Sequence, residues 1–301
     1  MTGYNLRVIE EATALTAWLD AHPAAGILDV RPASDFVGRH IRGAVSLPPA
    51  AAARTAAELE AVLPSILLPP RHRPLLVVAG AVDIALRLAG ALSARGRARL
   101  AAAAPLPAAL GALPERLCAR GPGAGALWEA PAWLTDHADL LPPAALGPAL
   151  DLGCGSGRAA VWLAARGYRV TGLDHQPEAL ALMSRLAASA GVAVSGIRAD
   201  VRAAGAVPPG PWGVLVNIRC LQRPLLTRLR DYVSPHGVAV VRGFRDAPGW
   251  APDITAAHRL RPAELVHAFP PGTWEVLAHE EGFDDDGRPA AGIVARRLGG
   301  L

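Results

Sequence analysis

One stretch constrains the fold of this chain more than any other: Leu150-Asp151-Leu152-Gly153-Cys154-Gly155-Ser156-Gly157. It follows a turn at Gly147-Pro148 and runs into Arg158-Ala159-Ala160-Val161-Trp162-Leu163, an apolar helical pattern. The order reads strand, glycine turn, helix. Glycine at alternate positions lets backbone approach a ligand with no Cβ in the way, and the helix that opens there has N–H groups without intrahelical partners. Such a turn suits a nucleotide-type ligand.

Spacing narrows the choice of ligand. The nicotinamide fingerprint Gly-x-Gly-x-x-Gly has its third glycine one place later, where this chain has Arg158. A second apolar strand, Tyr168 to Leu173, ends in Asp174, at the distance expected for an acid that takes ribose hydroxyls. A third strand, Val192 to Ile197, leads to Asp200, and the apolar run Trp212 to Ile218 reads as a buried central strand. A helix over Leu221 to Val233, a turn at Pro235-His236-Gly237 and a strand over Val238 to Val241 complete the order.

This ordered set resembles class I S-adenosylmethionine-dependent methyltransferases. The resemblance implies a Rossmann-like, seven-stranded α/β domain with S-adenosylmethionine as its cosubstrate. Gly153, Gly155 and Gly157 then take the methionine side, Asp174 the ribose and Asp200 the adenine, while Asp151 organises the loop and helps to hold the amino group. Asn217 and Ile218 line the floor beside the sulfonium. In similar methyltransferases the segment before the glycine loop folds over the pocket, so Trp133, ahead of a helical stretch to Leu141, is a lid residue or else a core residue. Within the class, the compact pattern at Arg219 to Leu226 and a short final hairpin are similar to the tellurite-resistance and thiol methyltransferase branch.

The methyl acceptor is less legible. Ligands of such sheets lie beyond the carboxyl ends of the strands, which makes Arg219, Arg223, Phe244 and Arg245 candidates, with His258 and His267 further on. Arg219 either orients an anionic or soft acceptor, as the catalytic candidate, or is a solvated arginine or one paired with a nearby acid. The acceptor class expected is a small molecule, a thiol or a chalcogen oxyanion. Trp274 to Arg297 reads as two strands joined by the acidic turn Asp284-Asp285-Asp286-Gly287-Arg288, whose consecutive aspartates lack the alternation of a calcium loop.

The first part of the chain carries a different signature, in which Asp29, Arg31, Asp35, Phe36, His40, Ile41, Gly43 and Ala44 fall in one pattern. It resembles the amino-terminal signature of rhodanese-like domains. Catalysis in that family needs a cysteine after the next strand, because a thiolate must accept the sulfane sulfur. Here Pro74-Leu75-Leu76-Val77-Val78 runs into Ala79-Gly80-Ala81-Val82-Asp83, and no cysteine precedes Cys118. A catalytically silent domain is expected, serving as a docking or self-association module. The expected domains are 1–118, rhodanese-like, and 127–301, methyltransferase, joined by a flexible linker over 119–126. Two alternatives stand beside methyl transfer: a cosubstrate-binding scaffold without turnover, and a sulfurtransferase working through Cys118.

Composition sets outer bounds. The 301 residues, 51% hydrophobic and 5% aromatic, suffice for two domains whose cores rest on Leu, Val, Ala and a few tryptophans. Lysine is absent, so every basic side chain is arginine and Schiff-base chemistry on a lysine is excluded. The bias toward Ala, Arg, Gly and Pro suits a GC-rich bacterial genome. The densest arginine group, Arg71, Arg73, Arg95, Arg97 and Arg99, has no interleaved aromatics, which argues against a nucleic-acid partner. Cys118, Cys154 and Cys220 form no Cys-x-x-Cys pair, which fits a reduced cytoplasm and no zinc or disulfide framework. The amino terminus lacks a basic region with a long apolar segment, and Asp83 and Arg87 interrupt the most apolar stretch; neither signal peptide nor membrane span is expected.

Overall fold

The computed structural model describes residues 8–105, 107–123, 126–248, 250, 254–284 and 286–299. The first seven residues, Ala124 and Gly125 of the expected linker, and Asp285 of the acidic turn lie outside these. The chain divides into two compact units, Met1–Glu129 and Ala130–Leu301.

The first unit begins with β1 (Val8–Ile9), α1 (Ala12–Ala21), β2 (Gly26–Asp29), α2 (Ala33–Gly38), β3 (His40–Ile41) and β4 (Val45–Ser46). It continues with α3 (Ala56–Val62), β5 (Leu75–Val78), α4 (Val82–Ala94), β6 (Leu100–Ala103), α5 (Pro107–Gly111) and β7 (Cys118–Ala119). A parallel five-stranded sheet has the order β1-β6-β5-β2-β4. Its central β5 is buried along its whole length, as a Leu-Leu-Val-Val run covered on both faces must be.

The signature residues of this unit are tied to one another. Asp29 is fully buried and accepts from Arg31 Nε at 3.0 Å and Nη2 at 2.6 Å, and the same Nη2 donates to the carbonyl of Arg39 at 3.0 Å. The pair thus pins the end of β2 to the turn after α2. His40 Nδ1 donates to the Phe36 carbonyl at 2.8 Å, and the two rings stack at 3.9 Å. Leu127 is buried in the core of this unit and β7 pairs with β3, so the division falls after Glu129, and Ala119 belongs to a strand.

The second unit opens with α6 (Ala132–Asp136), β8 (Ala149–Leu152), α7 (Arg158–Ala164), β9 (Val170–Asp174), α8 (Pro177–Ser189) and β10 (Val194–Arg198). Then follow β11 (Trp212–Ile218), α9 (Arg223–Leu226), β12 (Val233–Phe244), α10 (Glu264–Ala268), β13 (Trp274–Phe283) and β14 (Pro289–Arg297). Its seven-stranded sheet has the order β10-β9-β8-β11-β12-β14-β13. The first five of these strands are parallel, and β14 lies antiparallel between β12 and β13. The strand order reverses beside β8, where a doubly wound sheet opens a crevice at its carboxyl edge.

Three local expectations change. The long helix over Leu221 to Val233 is only α9 and a 3-10 turn at Leu229–Asp231, which between them bury Leu225, Leu226 and Leu229. The Pro235-His236-Gly237 turn lies inside β12 rather than before it: His236 adopts φ 65°, and the ladder with β11 shifts register between Trp212 and Val214. The extra residues are absorbed as a bulge. Similarly, the helical stretch toward Leu141 stops at Asp136 and continues as a 3-10 turn, Ala138–Leu140.

Candidate active site

The three glycines after β8 all have positive φ, 65° at Gly153, 51° at Gly155 and 77° at Gly157, but their surroundings differ. A Cβ on Gly153 would overlap the Cys220 side chain, and one on Gly157 would overlap Met183 of α8. At Gly155 a Cβ would meet nothing within 4 Å. Two glycines therefore let the loop pack inward, and the third leaves open space above it.

The amide of Gly155 donates to Asp174 Oδ2 at 2.8 Å, and the amide of Gln176 to Oδ1 at 3.0 Å. Asp174 thereby closes the loop from the end of β9, with His175 Nδ1 3.4 Å from its Oδ1. Asp151, 3% exposed, accepts from the Ala160 amide at 3.2 Å. Burial pushes its carboxyl up to about 7, and the charge of Asp174 adds to the effect. Asn217 donates to the Leu152 carbonyl at 3.4 Å, tying β11 to β8.

Asp200 stands two residues beyond Arg198, the register partner of Asp174. It is half-buried and gripped by Arg202 at 2.6 Å, whose guanidinium holds its carboxyl down at about 2. Burial raises the thiols of Cys154 and Cys220, the latter to about 11, so neither is a thiolate near neutrality.

A second cluster lies past the ends of β11 and β12. Arg219 has φ 60°, and its amide donates to the Arg242 carbonyl at 2.7 Å. Its guanidinium pairs with Asp284 at 2.6 Å and Asp286 at 3.1 Å, so the expected acceptor-orienting arginine is engaged by the acidic turn. Arg242 Nε donates to the same Asp284 at 2.5 Å, and Arg288 pairs with Asp286 at 2.5 Å. The Phe244 ring takes the guanidinia of Arg219 and Arg288 at 5.0 and 4.4 Å.

The other acceptor candidates separate from this cluster. Arg223 is occupied by Glu264 at 2.6 Å and by the carbonyls of Ala257 and Arg259; Arg245 donates to the Asp246 carbonyl at 3.3 Å. His258 and His267 are exposed. Trp133 is buried against Gly292 of β14, where a Cβ would meet the indole Cε2 at 2.5 Å, and the Arg242 guanidinium lies 4.6 Å from its ring. Sequence reasoning missed Arg242 and Asp284 as site residues. The available signal was a cation closing the apolar run Val238 to Val241.

The sheet order, the glycine turn and the acids at the ends of β8 and β9 define a nucleotide-type crevice of the methyltransferase kind. Comparison with known proteins agrees: residues 149–237 match the methyltransferase domain family and residues 11–102 the rhodanese-like domain family. The chain carries a rhodanese-like domain followed by a methyltransferase domain of the S-adenosylmethionine-dependent fold.

Among solved structures, TehB from Haemophilus influenzae is 22% identical, over 55% of this chain and 61% of its own, with a TM-score of 0.46. An S-adenosylmethionine-dependent methyltransferase from Mesorhizobium loti is 21% identical over 55% and 98%, with a TM-score of 0.43. The 1,6-didemethyltoxoflavin-N1-methyltransferase of Burkholderia thailandensis, solved with 1,6-didemethyltoxoflavin and S-adenosylhomocysteine, is 20% identical over 55% and 80%, with a TM-score of 0.40. The chain thus spans about three fifths of TehB. No curated protein matches it in sequence. Among the described residues, no helix is long and apolar enough to cross a membrane.

Proposed function

We propose that the second unit transfers a methyl group from S-adenosylmethionine to a small-molecule acceptor, a thiol or a chalcogen oxyanion. The observation that carries this reading is the closure of the glycine loop onto Asp174 by the Gly155 amide, with open space above Gly155. The residues present fit the cosubstrate: a cradle without Cβ atoms, a buried carboxylate, Asp174, beside it, and a second carboxyl, Asp151, able to meet an ammonium group.

When bound, S-adenosylmethionine supplies an electrophilic methyl on a sulfonium. The chain needs to align the acceptor, exclude water and release a proton where the acceptor carries one. In this reading Gly153, Gly155 and Gly157 bind the methionine side through backbone, Asp151 faces its amino group, Asp174 receives the ribose hydroxyls, and Asp200 accepts from the adenine amino group. Asn217 forms the floor beside the sulfonium. The rhodanese-like unit, without a nucleophile after β5, acts as a docking or self-association module.

Calorimetric titration with S-adenosylmethionine and S-adenosylhomocysteine tests the reading, with Asp174→Ala as control and NAD as decoy. Micromolar binding lost in the variant supports it and leads to a screen of thiols and chalcogen oxyanions. A folded protein that binds neither sulfur compound sinks it.

A further inference from the structure

Among the buried donors of the second unit that lack a hydrogen-bond partner, two belong to neighbouring side chains. Trp133 Nε1 and Arg242 Nη1 are both shielded from solvent and have no hydrogen-bond partner, and each residue is 6% exposed. Buried N–H groups are almost always satisfied, so a pair left open in one place calls for a ligand. The two belong to stacked side chains, the Arg242 guanidinium standing 4.6 Å from the Trp133 ring.

Their position relates them to the donor. Ile218, at the end of β11, is the register partner of Arg242, and Arg242 is the partner of Gly292. Neighbouring strands lie about 4.8 Å apart, so Arg242 is one strand and the Trp133 seat on Gly292 two strands from the floor proposed for the sulfonium. That is the side on which an acceptor must approach. The absence of a Cβ at Gly292 is what lets the indole lie there.

The neighbours of Arg242 leave one edge of it open. Arg242 Nε donates to Asp284 and Nη2 to the Phe283 carbonyl, which leaves Nη1 as the free edge of the guanidinium. Asp284 also serves Arg219, and Asp286 serves Arg219 and Arg288. Glu280, 3.5 Å from Arg242, has its side chain 53% exposed and sits at the rim.

We propose that the stack of Trp133 on Arg242 binds the carboxylate of the methyl acceptor, one oxygen facing the indole N–H and the other the guanidinium Nη1. This rests on the methyltransferase reading. A planar two-oxygen anion matches an Arg edge and a neighbouring N–H better than a single neutral carbonyl does. Buried from water, both bonds are stronger than at a surface.

The test uses the full chain, labelled with 15N in its indoles, with 4-mercaptobenzoate and its methyl ester as probes; Trp133→Phe assigns the Trp133 resonance. The acid is expected to move that resonance and to bind at least tenfold more tightly than the ester. Arg242→Lys, which keeps the charge near Asp284 but loses Nη1, is expected to weaken the acid at least tenfold with S-adenosylmethionine affinity unchanged within twofold. Should that variant fail to fold, Trp133→Phe removes only the indole N–H, and calorimetry should find the acid bound at least fivefold more weakly. Equal binding of acid and ester, no movement of the resonance, or full acid affinity in the folded variants overturns the proposal. Failure of the methyltransferase reading looks different: the carboxylate still moves Trp133, but S-adenosylmethionine does not bind.

Discussion

The amide of Gly155 and the carboxylate of Asp174 meet at 2.8 Å, and this bond fixes the glycine loop of β8 to the end of β9. Removing the carboxylate should therefore loosen the loop as well as delete a ribose partner. Asp174→Ala is expected to lower S-adenosylmethionine affinity at least tenfold and stability by about 1–3 kcal/mol, the usual cost of orphaning buried donors. Calorimetry and urea melts read the two effects separately. Weakened binding at unchanged stability would contradict the loop-closing role.

Gly157 faces both a steric and a conformational barrier to substitution. Its φ is 77° and a Cβ would lie 2.6 Å from the Met183 Cβ. Gly157→Ala should cost about 2–4 kcal/mol, the sum of left-handed strain and overpacking. Adding Met183→Ala removes the Cγ contact and keeps the Cβ one, so it should recover part of the overpacking share. A double-mutant cycle without coupling would show that α8 does not press on the loop.

The pH dependence of stability should carry the signature of Asp151. Its folded pKa, about 7, lies above the ordinary 3.8, so the folded form binds the extra proton. Its ionisation therefore costs nothing below about pH 4, and the full cost is present above about pH 7. Stability falls as pH rises through that window, by an amount on the order of 4 kcal/mol at roughly 1.4 kcal/mol per unit. Asp151→Asn should flatten this part of the profile, which urea melts from pH 4 to 8 can follow; parallel profiles for the two proteins would refute it.

Asp284 and Arg219 should differ sharply although they form one ion pair. Asp284→Ala strands the buried Arg242 and is expected to cost about 3–5 kcal/mol. Arg219→Ala removes a side chain 40% exposed and should cost less than about 1 kcal/mol. Equal losses in thermal melts would mean that Arg242 does not depend on Asp284.

Cys118 is 2% exposed in the edge pairing of β7 with β3. Its reaction with an aromatic disulfide reagent should follow unfolding of the first unit rather than precede it. Thiocyanate formation from thiosulfate and cyanide should be absent; its presence, and loss in Cys118→Ser, would restore the sulfurtransferase alternative.

What the sequence made legible was local and periodic. The glycine turn, the acids at the strand ends and the buried run Trp212 to Ile218 each declare themselves within a dozen residues, because backbone conformation and burial limit which side chains can stand there. The first unit was readable for the same reason, since Asp29 and Arg31 are two residues apart and bond directly. The acceptor side was not. Arg219 meets Asp284 across 65 positions and Trp133 meets Gly292 across a still longer separation, contacts that exist only once β12 and β14 are paired. The segment after Leu221 misled because its leucines at helical spacing are buried by a short helix and a 3-10 turn instead of one long helix.

The place of β14 inside the sheet has a consequence for how the protein is made. This strand is synthesised after β13 yet stands between β13 and β12, so until residues 289–297 have left the ribosome β12 has an open edge and β13 has no partner in the sheet. Strands β8 to β11 have all their neighbours earlier, with β12. A nascent chain can therefore assemble the cradle for the cosubstrate while the seat of Trp133 on Gly292 does not yet exist, and the side of the crevice that faces the acceptor is completed last.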